Sequence, residues 1–149
     1  MATQVQIPFA PPLAVDFGSL NIQGLDPSAP APATILKMNE QFELSAEVKF
    51  SGNAPLVQLL MHLPLTVQVD FYGESIGPGS EVKLPATITT VPGTSDYTVK
   101  TAPITPSGAG LTGNTVYKVA AVVTITAPVA FSHPIATGFI DGLTVQTYS

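Results

Sequence analysis

The sequence predicts an all-β domain: an antiparallel β-sandwich of about seven strands with an extended N-terminal arm, a small β-barrel being the alternative. Residues 42–50, Phe-Glu-Leu-Ser-Ala-Glu-Val-Lys-Phe, alternate apolar and polar without an exception. Side chains on a strand point to opposite faces with period two, so this segment packs one face on a core and shows the other to water. The same alternation returns in Leu65-Thr66-Val67-Gln68-Val69-Asp70-Phe71. Clusters of Gly, Pro, Ser and Asn separate such stretches at intervals of roughly 8–15 residues, the spacing of a sandwich.

The elements follow in order. Residues 1–34 carry six of the fifteen prolines (8, 11, 12, 27, 30 and 32) and only two charged residues, Asp16 and Asp26. Proline disfavours helix and favours extended backbone. Ile7, Phe9, Leu13, Val15 and Phe17 make the segment too apolar for a solvated tail, and Leu13, Val15 and Phe17 share one strand face. It is expected to dock, either as a first strand on its own sandwich or across a neighbouring subunit, with these five residues at the contact. Residues 35–149 form the sandwich itself. After strand 42–50 comes the turn cluster Ser51–Pro55. Residues 56–63 fit either one or two helical turns or a strand running on to Phe71, with Pro64 at the boundary. A glycine-rich loop, Gly73–Ser80, precedes a strand within 81–91. Val91-Pro92-Gly93-Thr94 has the proline and glycine of a type II turn, which predicts a hairpin between 81–91 and 96–101. A loop spans 102–114; a strand at 115–127 places Tyr117, Val119, Ala121, Val123 and Ile125 on one face; the last strand lies in 139–148.

Composition excludes several function classes. The chain has 149 residues, no cysteine, 10% charged residues and a net charge of −5. Without cysteine, packing must stabilise the fold, and thiolate metal sites and cysteine nucleophiles are ruled out. The cations are five lysines, at 37, 49, 83, 100 and 118, one per segment. Nucleic-acid binding needs a clustered basic face, and none is present. Segments 50–69 and 119–140 carry no charge, yet both contain prolines, glycine, histidine and alternating polar positions, so strands and turns are expected there rather than a membrane span. The start, Met-Ala-Thr-Gln-Val-Gln-Ile-Pro, lacks the basic and apolar regions of a secretory signal. The compartment stays open; cytoplasmic synthesis with incorporation into an extracellular or particle assembly is compatible with it.

Leu111-Thr-Gly-Asn-Thr115-Val-Tyr117-Lys-Val119-Ala-Ala121 resembles the Leu-x-Pro-x-Thr-x-Tyr-x-Val-x-Val approach to the penultimate strand of fibronectin type III domains, relatives of the immunoglobulin-like sandwiches. The resemblance covers about a dozen residues; Gly113 stands where proline is usual, and the chain has no tryptophan. It implies that Tyr117 makes a corner hydrogen bond and that its ring fills the sandwich edge.

Chemistry-bearing residues are sparse. His62 sits in an apolar run, and Ser132-His133-Pro134 puts serine beside histidine in sequence, where their side chains do not form a catalytic pair. Glu74 and Glu81 bracket a glycine-rich loop at one sandwich end, where oxygen ligands could converge on calcium with Asp141 or Asp96, although no Asp-x-Asp-x-Asp run supports it. Gly73–Gly79 and Gly108–Gly113 lack the Gly-Lys-Ser/Thr of a phosphate loop. Tyr72, Tyr97 and Tyr148 suit strands and rims before they suit sugar stacking. The chain is therefore expected to be non-enzymatic, without a cofactor or small-molecule ligand. It reads as a structural subunit that associates with copies of itself through its sandwich faces and arm. The alternative is a monomeric binding module recognising a protein or carbohydrate through its loops.

Overall fold

The computed structural model describes residues 13–25, 34–52, 55, 62–77, 79–126 and 136–149. The fold is all-β, and eight strands run along the chain: β1 (Leu13–Gly24), β2 (Ile35–Lys37), β3 (Phe42–Gly52), β4 (Thr66–Ser75), β5 (Val82–Thr89), β6 (Asp96–Lys100), β7 (Val116–Thr126) and β8 (Ala136–Tyr148). They form two sheets, one of three strands in the order β1-β3-β6 and one of five in the order β2-β8-β7-β4-β5. Neither is closed on itself among the described residues, which makes the architecture a sandwich and not a barrel.

The alternation in β3 sets the small sheet. Phe42, Leu44, Ala46, Val48 and Phe50 are all buried, while Glu47 and Lys49 stand exposed between them. The large sheet answers with Leu65, Val67, Val69 and Phe71 and with Tyr117, Val119, Ala121, Val123 and Ile125, also buried. These two inward faces make the core. Buried threonines serve backbone groups at its margins: the Thr101 hydroxyl accepts the Leu44 amide at 3.0 Å, and the Thr90 hydroxyl accepts the Leu65 amide at 2.9 Å. No buried side-chain nitrogen or oxygen among the described residues lacks a partner, as a well-formed interior requires.

Two features depart from the expected pattern. The turn at Val91–Thr94 forms, with Gly93 at φ +85° and the Thr94 amide donating to the Val91 carbonyl at 3.4 Å. It does not close a hairpin, because β5 lies at the edge of the large sheet and β6 at the edge of the small one. The Thr90 amide bonds back to Leu65 and the Ser95 carbonyl accepts the Phe50 amide, so the chain crosses between sheets over these residues. The second departure is β2, which pairs with β8 in parallel, Ile35 to Gln146 through Lys37 to Tyr148; all other strand pairs are antiparallel. Residues 56–61 lie outside the described residues.

β1 belongs to the small sheet. It pairs antiparallel with β3 from Leu13–Gly52 to Gly24–Phe42, with a register shift between Phe17 and Leu20. The extra residue there is a β-bulge, and it keeps Val15, Phe17, Leu20 and Ile22 all packed against the core. Thus residues 13–24 of the arm pair within the same chain. A second bulge interrupts β8 opposite Ala120, between Val119–Leu143 and Ala121–Ile140. Gly142 supplies it with φ +102°, a left-handed conformation that glycine adopts without steric cost.

Candidate functional site

Three places gather the side chains that chemistry or recognition would use. The first is a groove of about 520 Å³ on the outward face of the large sheet, lined by Tyr72, Glu74, Glu81, Lys118, Phe139 and Asp141, among others. β4 presents Tyr72 and Glu74, β7 presents Lys118, and the β8 bulge turns Asp141 outward beside exposed Phe139. The structure thus brings Glu74, Glu81 and Asp141 to one groove, while Asp96 lies on β6 in the other sheet. No three such side chains are grouped to hold a metal ion among the described residues. Lys83 stands 5.9 Å from the Tyr72 ring centre and 3.9 Å from the Asp70 carboxylate. These contacts lie beside the groove with the lysine more than half exposed, where each is worth little on its own.

The second place is the outward face of the small sheet, where a groove of about 420 Å³ is lined by Asp16, Gly18, Glu47, Lys49, Asp96 and Tyr97, among others. Glu43 and Lys100 stand on the same face, 3.9 Å apart. The third is an apolar void of about 30 Å³ in the core, bordered by Ile22, Leu36, Phe42, Phe71, Leu111 and Tyr117, among others. It has the volume of roughly one water and no polar lining to hold one, so it is a packing gap and not a ligand site.

The tyrosines serve the fold's corners. The Tyr117 hydroxyl accepts the Thr112 amide at 2.7 Å, and its ring is buried at the sandwich edge, as the resemblance implied. The Tyr97 hydroxyl accepts the Val91 amide at 3.0 Å and donates to the Thr94 carbonyl at 2.8 Å, clasping the crossing turn. Its ring meets Phe50 edge-on at 6.0 Å. Tyr148 lies half-buried beside β2. His62 is exposed just before β4; Ser132 and His133 lie outside the described residues, as do Ile7 and Phe9.

Of the remaining arm residues, Leu13 opens β1 opposite Gly52, and Val15 and Phe17 are half-buried on the inner side of β1. The Phe17 ring packs onto Gly138 of β8: a Cβ placed at Gly138 would meet its ring carbon at 1.7 Å. Sequence reasoning identified neither this notch nor the two bulges. The signals were Gly18 inside the apolar run of β1 and Asp141-Gly142 inside that of β8, both positions where glycine in a strand marks a bulge or a close approach.

No protein-family model matches the chain, and no curated protein matches it. Among solved structures it is similar to AggA, the major subunit of aggregative adherence fimbriae type I from Escherichia coli. The TM-score is 0.39 and the identity 10%, over 89% of this chain and 95% of that one.

Proposed function

We propose that this chain is a non-enzymatic structural subunit, built on an immunoglobulin/fibronectin-III-like sandwich, that associates with copies of itself through its sandwich faces and its N-terminal arm. The sandwich type is supported by the Tyr117 corner at the start of the penultimate strand and by the strand order of the two sheets. The observation that carries the association is the outward face of the large sheet. Its rows Thr89–Thr66–Thr126 and Thr87–Gln68–Thr124–Thr137 hold no ionisable group, and the next row, Pro85–Asp70–Val122–Phe139, holds one, Asp70, beside Val122 and Phe139. Phe139 is 64% exposed, the most exposed large apolar side chain described. Two uncharged rows followed by an exposed aromatic suit contact with another protein surface, since charge is depleted at interface centres and aromatics are enriched.

Light scattering after size exclusion tests this on the full chain at tens of micromolar. The expected result is a mass of several chains, falling towards one chain in Phe139→Asp. A monodisperse single-chain mass for the unaltered protein would overturn the reading and favour the binding module. One observation supports that second reading: the groove over Tyr72 and Phe139 has the size and mixed aromatic and polar lining of a carbohydrate or peptide site.

A further inference from the structure

We infer that the free edge of β6 pairs with β6 of a second copy, antiparallel about a two-fold axis at Thr98, so that the small sheets of two chains become one continuous sheet. This rests on the self-association reading and adds a contact at a sheet edge to those at the faces.

Among the described residues the sandwich has four edge strands, and three of them are interrupted. β1 carries the bulge between Phe17 and Leu20, and β2 is three residues long. β5 carries Pro85. The Thr90 amide donates to the Leu65 carbonyl at 2.8 Å and the register from there is unbroken, so Ile88, Ala86 and Leu84 also turn their backbone groups to β4. Thr87, Pro85 and Lys83 turn theirs to the free edge, whose central position therefore has no N–H to give. Bulges, short strands and prolines all keep an edge from pairing.

β6 has none of these. Asp96–Lys100 pairs with β3 in unbroken register and contains neither proline nor glycine. The Ser95 carbonyl accepts the Phe50 amide at 2.8 Å and the Thr101 amide donates to the Leu44 carbonyl at 2.9 Å, so the backbone groups of Tyr97 and Val99 also face β3. Those of Asp96, Thr98 and Lys100 face away from it, along the free edge, and all three residues are exposed.

Charge on an edge ordinarily discourages pairing. Here the two charges are opposite and stand symmetrically about Thr98, so the two-fold sets Asp96 against Lys100 of the copy, Thr98 against Thr98, and Lys100 against Asp96. Each pair exchanges two backbone hydrogen bonds, about six in all. A register shifted by two residues loses both charge pairs. Lys100 stands 3.9 Å from Glu43 in its own chain and is more than half exposed, which leaves it free to meet a second carboxylate. The edge pair leaves the outward face of the large sheet uncovered, so one subunit offers copies two different seats, as growth beyond a pair requires.

Charge reversal tests this on the full chain by light scattering after size exclusion. Asp96→Lys alone and Lys100→Asp alone each set like charges together at both ends of the contact, and each should lower the mass by about two-fold or more. Mixing the two variants should restore it, because unlike charges then meet at both ends. Lys49 and Glu43 feel these reversals within one chain, but only a contact between chains responds to mixing. Thr98→Pro removes the central outward N–H and no bond to β3, and should lower the mass without rescue by either variant. A mass above one chain that none of the three variants changes overturns edge pairing and leaves association through the faces standing. A loss that mixing does not restore overturns it as well. A single-chain mass for the unaltered protein overturns both edge pairing and self-association.

Discussion

The small sheet turns Asp16, Glu43, Glu47, Lys49, Asp96 and Lys100 outward, six of the chain's fifteen charged residues. The large sheet turns outward two uncharged rows of threonine and glutamine, then a row in which Asp70 stands with Val122 and Phe139, and beyond it Lys83, Glu74, Lys118 and Asp141. Inward, the two sheets are alike, both lined by Val, Leu, Ala and Phe or Tyr. A sandwich needs only its inward faces to fold, so the outward difference reports something other than folding. Water hydrates the small sheet readily, whereas much of the large one offers it methyl groups, hydroxyls and an aromatic ring. The lesson is that in a charge-poor chain the placement of the few charges marks which face stays wet.

The comparison can be broken at several points. If the large sheet is the scaffold, Phe71→Ala in β4, between β7 and β5, should cost about 3–5 kcal/mol in urea unfolding, the range for an aromatic lost from a packed core. If the small sheet is held to it partly by the Phe17–Gly138 contact, Gly138→Ala should cost about 1–3 kcal/mol through overpacking. Hydrogen exchange should then quicken in β1 before the centre of the large sheet; uniform quickening would deny β1 its separate status. Tyr117→Phe keeps the ring and strands the Thr112 amide, for an expected loss of about 1–2 kcal/mol. Smallest is Lys100→Ala on the wet face: its pair with Glu43 is long and more than half exposed on the lysine side, so stability should move by less than about 0.5 kcal/mol. A larger change there would mean that this face is not simply solvated.

Much of the fold was legible. Phe42–Phe50 alternates without error and every apolar member is buried; Tyr117 to Ile125 behave likewise, because period two is enforced wherever one face meets a core. The hairpin between β5 and β6 was misread for a physical reason. Pro92-Gly93 encodes how the backbone reverses, while which sheet the next strand joins depends on distant partners, β3 for β6 and β4 for β5. β2 escaped because three residues carry no period, and its parallel pairing with β8 is a long-range event. In the candidate site, Glu74 and Glu81 were placed together by the loop between them, and Asp141 joins them through the Gly142 bulge, a one-residue insertion to which periodicity is blind.

Phe17 resting on Gly138 also bears on biosynthesis. These residues lie near opposite ends of the chain, so the first strand leaves the ribosome long before its seat exists. During that interval Val15, Phe17, Leu20 and Ile22 have no finished core to enter.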